Sequence, residues 1–240
     1  MTLGPAGGAT GGDGGGTHTA PLADRSASVL IAGIMRENLA DVLRLLLVTD
    51  DALVGDRDLV ELCLAAEAGG VTAVQLRLKH ADDRTLGLVA RRLIGVLTVP
   101  LFLNDRLDVA LAVGAAGVHL GSDDLAPALA RKVVPSAFVL GASVGSDSEV
   151  VRGMAADYWG IGPLHVTATK SDAGDALEWE GVQRLAAQAG GRPCVVIGGV
   201  QPGDVVPARD AGMAGVAVVT GILAGHDVAG AAREYRRRSD

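Results

Sequence analysis

Two carboxylates nineteen residues apart, Asp105 and Asp124, each follow a short aliphatic run in "FLNDRLDVALAVGAAGVHLGSDDL" (102–125). Acids placed at the ends of successive strands can cap the helices that follow. They can also meet one cation, because adjacent strands lie only about 4.8 Å apart. Two carboxylates with water and phosphate oxygen in the remaining positions is the habit of Mg²⁺. Asp123 is the rival to Asp124 in either role.

The other chemistry-bearing residues also fall where apolar runs end. In "VQLRLK", period-two alternation puts Gln75, Arg77 and Lys79 on one face and Leu76 and Leu78 on the other. Three long polar side chains on an inward face need a partner, since unpaired buried charge is costly. An anionic ligand would satisfy them, and so would structural ion pairs. Ser143 offers a hydroxyl to a phosphate oxygen or to the next turn. The long segment "GPLHVTATKSDAGDALEW" carries Thr167, Thr169 and Lys170, two hydroxyls and a cation suited to gripping an anion. "IGGV" and "VVTG" supply Gly198, Gly199, Val219 and Thr220, where backbone N–H groups can approach a phosphate closely or simply form a tight turn. Of the five histidines, His165 in the long segment is the candidate acid or base, and His119 reads as structural within a strand.

Positioning these residues takes a regular scaffold, and the chain has one from about residue 44. Strands are predicted at 44–49, 72–78, 100–104, 117–120, 137–143, 157–162, 193–198 and 215–220. Between them lie stretches of helical periodicity such as "DLVELCLAAEAGG" and "RTLGLVARRLIGVL", several ending in Ala-Gly or Gly-Gly. Eight strand–helix units imply an α/β protein, a (β/α)8 TIM barrel, whose chemistry sits at the C-terminal ends of the strands. An open doubly wound sheet fits less well, because "LLLVTDDALVGD" lacks a Gly-x-Gly-x-x-Gly loop. The glycine-rich stretch at residues 1–34 is predicted to be a disordered or weakly ordered extension, and 35–240 the barrel.

Composition narrows the function. Of 240 residues, 49% are apolar and 20% charged, enough for one large domain with an ample core. A net charge of −7 with no internal basic block argues against nucleic-acid binding; "REYRRRS" at the C-terminus reads as a solvated helix end. Cys63 and Cys194 are far apart and read as buried thiols in a reducing cytoplasm. No apolar run has the length of a membrane span, and no secretory signal opens the chain. Barrels of this size often dimerise, which makes a homodimer a base-rate expectation.

Together, "VQLRLK", "NDRLDVALAVGAAGVHLGSDDL", "GIGPLHVTATK", "VVIGGV" and "GVAVVTGI" resemble the thiamine-phosphate synthase family, in its order and at compatible spacings from about residue 44 to 236. The resemblance implies a transferase that condenses a pyrimidine methyl diphosphate with a thiazole phosphate, giving thiamine phosphate and pyrophosphate. It implies that Gln75, Arg77, Lys79 and Asn104 hold the pyrimidine diphosphate, that Ser143 and Lys170 grip the diphosphate, and that Asp105 and Asp124 bind Mg²⁺. Thr167, Thr169, Gly199, Val219 and Thr220 would seat the thiazole phosphate.

The chain departs from the family pattern at a few positions. Leu78 stands where an acid is usual, Gly145 where a histidine is frequent, and Ser122 where glutamine is frequent. His165-Val166 replaces Phe-Pro, and Thr220 replaces serine. Two alternatives follow: a thiazole-phosphate tautomerase-like isomerase using His165, and a non-catalytic phosphate-binding paralogue.

Overall fold

The computed structural model describes residues 37–166 and 175–239. The 1–34 extension and Thr167, Thr169 and Lys170 lie outside the described residues. Within them, eight parallel strands close into a barrel in chain order, β1 to β8. They are β1 Leu45–Val48, β2 Ala73–Leu76, β3 Leu101–Asn104, β4 Gly117–Leu120, β5 Val139–Val144, β6 Tyr158–Ile161, β7 Cys194–Ile197 and β8 Gly215–Val218. All eight fall at the expected places, and most are a residue or more shorter at the ends.

The helices that alternate with them include α1 Leu39–Val42, α2 Asp51–Val54, α3 Leu59–Ala68, α4 Asp83–Val96, α5 Leu107–Val113 and α6 Pro127–Ala130. They continue with α7 Asp147–Gly153, α8 Glu178–Ala186, α9 Val205–Asp210, α10 Thr220–Leu223 and α11 Val228–Ser239. Their starts are chemically marked. Asp58 accepts from the N–H groups of Val60 and Glu61 to begin α3, and Asp82 accepts from Thr85 N–H to begin α4. Ser146 and Glu149 form a reciprocal capping box at α7. The four-residue helices α1, α2, α6 and α10 are absent from the sequence reading, because a single turn leaves no periodic trace.

Strand alternation divides the core in two. Leu45, Leu47, Val74, Leu76, Leu103, Leu120, Trp159 and Val196 face the helices, each burial being worth about 1.5–3 kcal/mol. Leu46, Ala73, Phe102, Val139, Tyr158, Val195 and Ala217 fill the barrel interior. Room for the two interior rings comes from glycine: a Cβ on Gly117 would stand 2.9 Å from Phe102, and one on Gly141 would collide with the Tyr158 ring. These rings plug the lower barrel, so the open space lies above them, at the strands' C-terminal ends.

Candidate active site at the barrel mouth

That open space is a cavity of about 880 Å³. Continuing the inward parity of β2 past its end, Gln75, Arg77 and Lys79 all line it, while Leu76 and Leu78 pack against the helix-facing core. The alternation read from "VQLRLK" therefore holds, and Leu78, in place of the family's usual acid, points away from the cavity.

Two of these polar groups already have protein partners. Gln75 Nε2 donates to Asn104 Oδ1 at 2.7 Å, across the β2–β3 pair. Arg77 Nη1 donates to Asp50 Oδ2 at 2.7 Å. Asp50 is itself buried and caps α2 through the N–H groups of Ala52 and Leu53. Thr49 ties the same strand ends together, donating to Arg77 O at 3.0 Å and accepting from Arg77 N–H at 2.8 Å. Structural pairing thus takes part of the Arg77 fork and aims the rest at the cavity. Asp50 was missed in the sequence, although it directly follows the β1 run, as Asp105 follows β3.

The capping reading of the two acids fails. The residue that starts α5 is Arg106, with no side-chain cap, and α6 starts at Ala126. Asp124 instead bends back to accept from Gly121 N–H at 2.7 Å, and Arg152 Nη2 of α7 donates to its backbone carbonyl at 2.5 Å. Asp105 adopts a left-handed φ of +63°, uncommon outside glycine, and its N–H donates to His119 O at 2.8 Å. This backbone brings the Asp105 carboxyl into hydrogen-bonding contact with that of Asp124. Burial first, then the hydrogen bond and like charge of Asp124, push the Asp105 carboxyl up to about 7, against the opposing pull of Lys79 and Arg77. Asp124, not the exposed Asp123, is the acid that meets Asp105. Two oxygen-donor carboxylates crowded at a polar mouth suit a hard divalent cation.

Ser143 lines the cavity from β5, and its Oγ lies 3.0 Å from His119 Nε2. His119 Nδ1 in turn lies 3.0 Å from the Tyr158 hydroxyl. Sequence reasoning passed over His119 as structural, yet the parity of "GVHL", with Gly117 inward, was the signal that could have found it.

Across the barrel from these groups, Gly198, Gly199, Val219 and Thr220 line the opposite wall. Gly198 and Gly199 have φ of +91° and +68°. The β7 end also approaches the segment after β6 closely, with Leu164 N–H donating to Ile197 O at 2.8 Å and His165 N–H to Gly198 O at 3.0 Å. A Cβ on Gly198 would stand 2.6 Å from Pro163 Cα. The paired glycines thus serve a left-handed turn and a close backbone contact as well as bordering the cavity.

His165 is turned elsewhere. Its Nε2 lies 3.1 Å from Asp204 Oδ2 and its Nδ1 3.9 Å from Glu178 Oε2, and it is not among the described residues lining the cavity. Gly145, where the family often has histidine, lines the cavity and donates its N–H to Glu149 Oε2 at 2.6 Å.

A (β/α)8 barrel whose mouth gathers cations, hydroxyls and a contacting acid pair on one side and a glycine turn on the other belongs to the phosphate-handling enzymes of that fold. Residues 45–222 match the family model described as thiamine monophosphate synthase. The chain is 47% identical to the thiamine-phosphate synthase of Azorhizobium caulinodans over 199 residues, 81% of this chain and 93% of that protein. It is 41% identical to the thiamine-phosphate synthase of Chloroflexus aurantiacus over 198 residues, 80% and 91% of the two chains. Among solved structures, a thiamine phosphate pyrophosphorylase from Pyrococcus furiosus superposes with a TM-score of 0.73 at 32% identity, covering 84% of this chain and 98% of the other. The chain belongs to the thiamine monophosphate synthase family, and its role lies in thiamine biosynthesis.

Proposed function

We propose that the barrel mouth joins 4-amino-5-hydroxymethyl-2-methylpyrimidine diphosphate to a thiazole phosphate, forming thiamine phosphate and pyrophosphate. The bond between the pyrimidine's methylene carbon and the diphosphate oxygen breaks, and its electron pair leaves on pyrophosphate. The lone pair of the thiazole ring nitrogen then forms the new carbon–nitrogen bond. No proton moves at the reacting centre. The site therefore has to stabilise charge on the leaving group and exclude water, not supply a strong base.

One observation carries this reading: Gln75, Arg77, Lys79, Asn104, Asp105, Asp124 and Ser143 all border a single cavity. Arg77, Lys79 and Ser143 would hold the diphosphate, with Asp50 fixing the direction of Arg77. The Gln75–Asn104 pair would hold the pyrimidine end, each amide keeping further hydrogen-bonding capacity for a ligand. Gly199, Val219 and Thr220 would seat the thiazole phosphate on the opposite wall. The family resemblance adds Thr167, Thr169 and Lys170 to these roles. Asp105 and Asp124 would hold Mg²⁺, which when bound supplies positive charge against the diphosphate oxygens.

The isomerase alternative loses support because His165 is engaged by Asp204 and turned from the cavity. Two buried free thiols, Cys63 and Cys194, suit a reducing cytoplasm, and among the described residues no helix is long and apolar enough to cross a membrane. A homodimer is proposed on base rate alone, to be read by sedimentation.

The test is to incubate the protein with both substrates and Mg²⁺ and follow thiamine phosphate and pyrophosphate together. Equal amounts of both, abolished by EDTA, are expected. Binding of each substrate without either product would support the non-catalytic paralogue instead.

A further inference from the structure

The buried pair Tyr158 and His119 stands behind Ser143 at the floor of the cavity, and the direction of its hydrogen bonds follows from hydrogen-bond accounting. The Tyr158 hydroxyl is fully buried, and burial pushes its ionisation far above the usual range, so it keeps its proton. Its one hydrogen-bond partner among the described residues is His119 Nδ1, at 3.0 Å. Were Nδ1 the donor, the phenolic hydrogen would be buried without an acceptor, which is the costlier arrangement. The phenol therefore donates and Nδ1 accepts. In a neutral imidazole the proton then sits on Nε2, which donates to Ser143 Oγ at 3.0 Å. Because His119 is the donor in that bond, the Ser143 hydrogen is not spent on the imidazole and is left to be donated into the cavity that Ser143 lines.

We infer that Tyr158 and His119 are positioning residues that free the Ser143 hydrogen and direct it to a diphosphate oxygen. This rests on the reading of the cavity as a diphosphate site. The barrel interior makes room for the chain of hydroxyl, ring and hydroxyl. Gly141 leaves space for the Tyr158 ring, and a Cβ on Gly160 would stand 3.0 Å from His119 Cε1. Register supports the same placement, since Asn104 pairs with His119, His119 with Gly141, and Ser143 with Gly160. A relay fixed in this way suits an anionic ligand, which accepts the Ser143 hydrogen.

The experiment is nitrogen NMR of the full chain labelled with ¹⁵N-histidine, together with calorimetric titration of inorganic pyrophosphate in the presence of Mg²⁺. Wild-type His119, assigned by comparison with His119→Gln, is expected as the Nε2–H tautomer. Tyr158→Phe is expected to admit the Nδ1–H form and to weaken pyrophosphate binding about tenfold, as Ser143→Ala also should. The double variant should bind no worse than Ser143→Ala alone, because Tyr158 acts only through Ser143. A wild-type Nδ1–H tautomer overturns the relay, and that result is available even if Tyr158→Phe fails to fold. Additive losses in the double variant also overturn it, by showing that Tyr158 acts on folding in general. A wild type with the Nε2–H tautomer that fails to bind pyrophosphate overturns the diphosphate reading of the cavity and removes the relay's acceptor with it.

Discussion

The Asp105 carboxyl meets that of Asp124 where β3 and β4 end, and it gets there through a backbone turned to φ +63°. A residue with a Cβ adopts that conformation at a cost of about 1–3 kcal/mol, tolerated where the surroundings over-determine it. Here the Asp105 N–H is held by His119 O, and Asp124 is held by Gly121 N–H and Arg152. Strain and like charge are thus concentrated on one pair of acids at the cavity rim.

Replacing Asp105 by Asn should lower turnover at least about 10²-fold, or about 2.7 kcal/mol of transition-state stabilisation. Folding should be unharmed, since Asn tolerates the left-handed backbone and removes the like-charge contact. Steady-state kinetics beside a thermal melt check both halves. Near-normal turnover would remove Asp105 from the mechanism. Lys170→Ala, placed by resemblance, should show a loss of the same size with unchanged stability.

The pH dependence of stability without cation follows from Asp105. Its carboxyl is raised from the ordinary 3.8 to about 7, so between those values the folded state holds a proton that the unfolded state has released. Its contribution to stability is complete below about pH 4 and is lost as pH rises through 7. Urea midpoints in EDTA should therefore fall from pH 5 to pH 8 by more in the wild type than in Asp105→Asn. Added Mg²⁺, which competes with that proton, should restore the midpoint most at pH 8. Equal pH slopes in the two proteins would count against the acid pair as the cause.

Arg77→Ala should act on both folding and binding. It leaves Asp50 buried without its 2.7 Å partner, at a cost of roughly 1–3 kcal/mol, and removes a cation from the cavity. Asp50→Asn should recover part of the lost stability in the double variant without recovering affinity for the diphosphate. Denaturant midpoints and pyrophosphate titration separate the two effects.

Gly198→Ala should destabilise by about 1–3 kcal/mol, because φ is +91° and the new Cβ would stand 2.6 Å from Pro163 Cα. Gly203→Ala, with no heavy atom within 4 Å of the added Cβ and a φ outside the left-handed region, is the control and should change little. Comparable losses at both sites would show that general loop flexibility, not the turn, is being measured.

Much of this architecture was legible in the chain. Aliphatic runs alternating with helical periodicity located all eight strands, and period-two parity aimed Gln75, Arg77 and Lys79 inward and Leu78 outward. Parity describes a side chain against its own strand, which is why it succeeded there. It says nothing of which distant group a side chain will meet. Asp50, His119 and Tyr158 were therefore overlooked, and His165, conspicuous in a polar segment, turned out to be tied to Asp204.

By itself the sequence determined the barrel, its C-terminal mouth and the kinds of group that gather there, because local periodicity dictates elements and closure then places their ends together. Only the tertiary structure brought Asp124 to Asp105, paired Arg77 with Asp50, and set His119 between Tyr158 and Ser143. Those choices join residues on different strands. They depend on inter-strand register and on space left by glycines across the barrel, and neither is encoded in the spacing of any one segment.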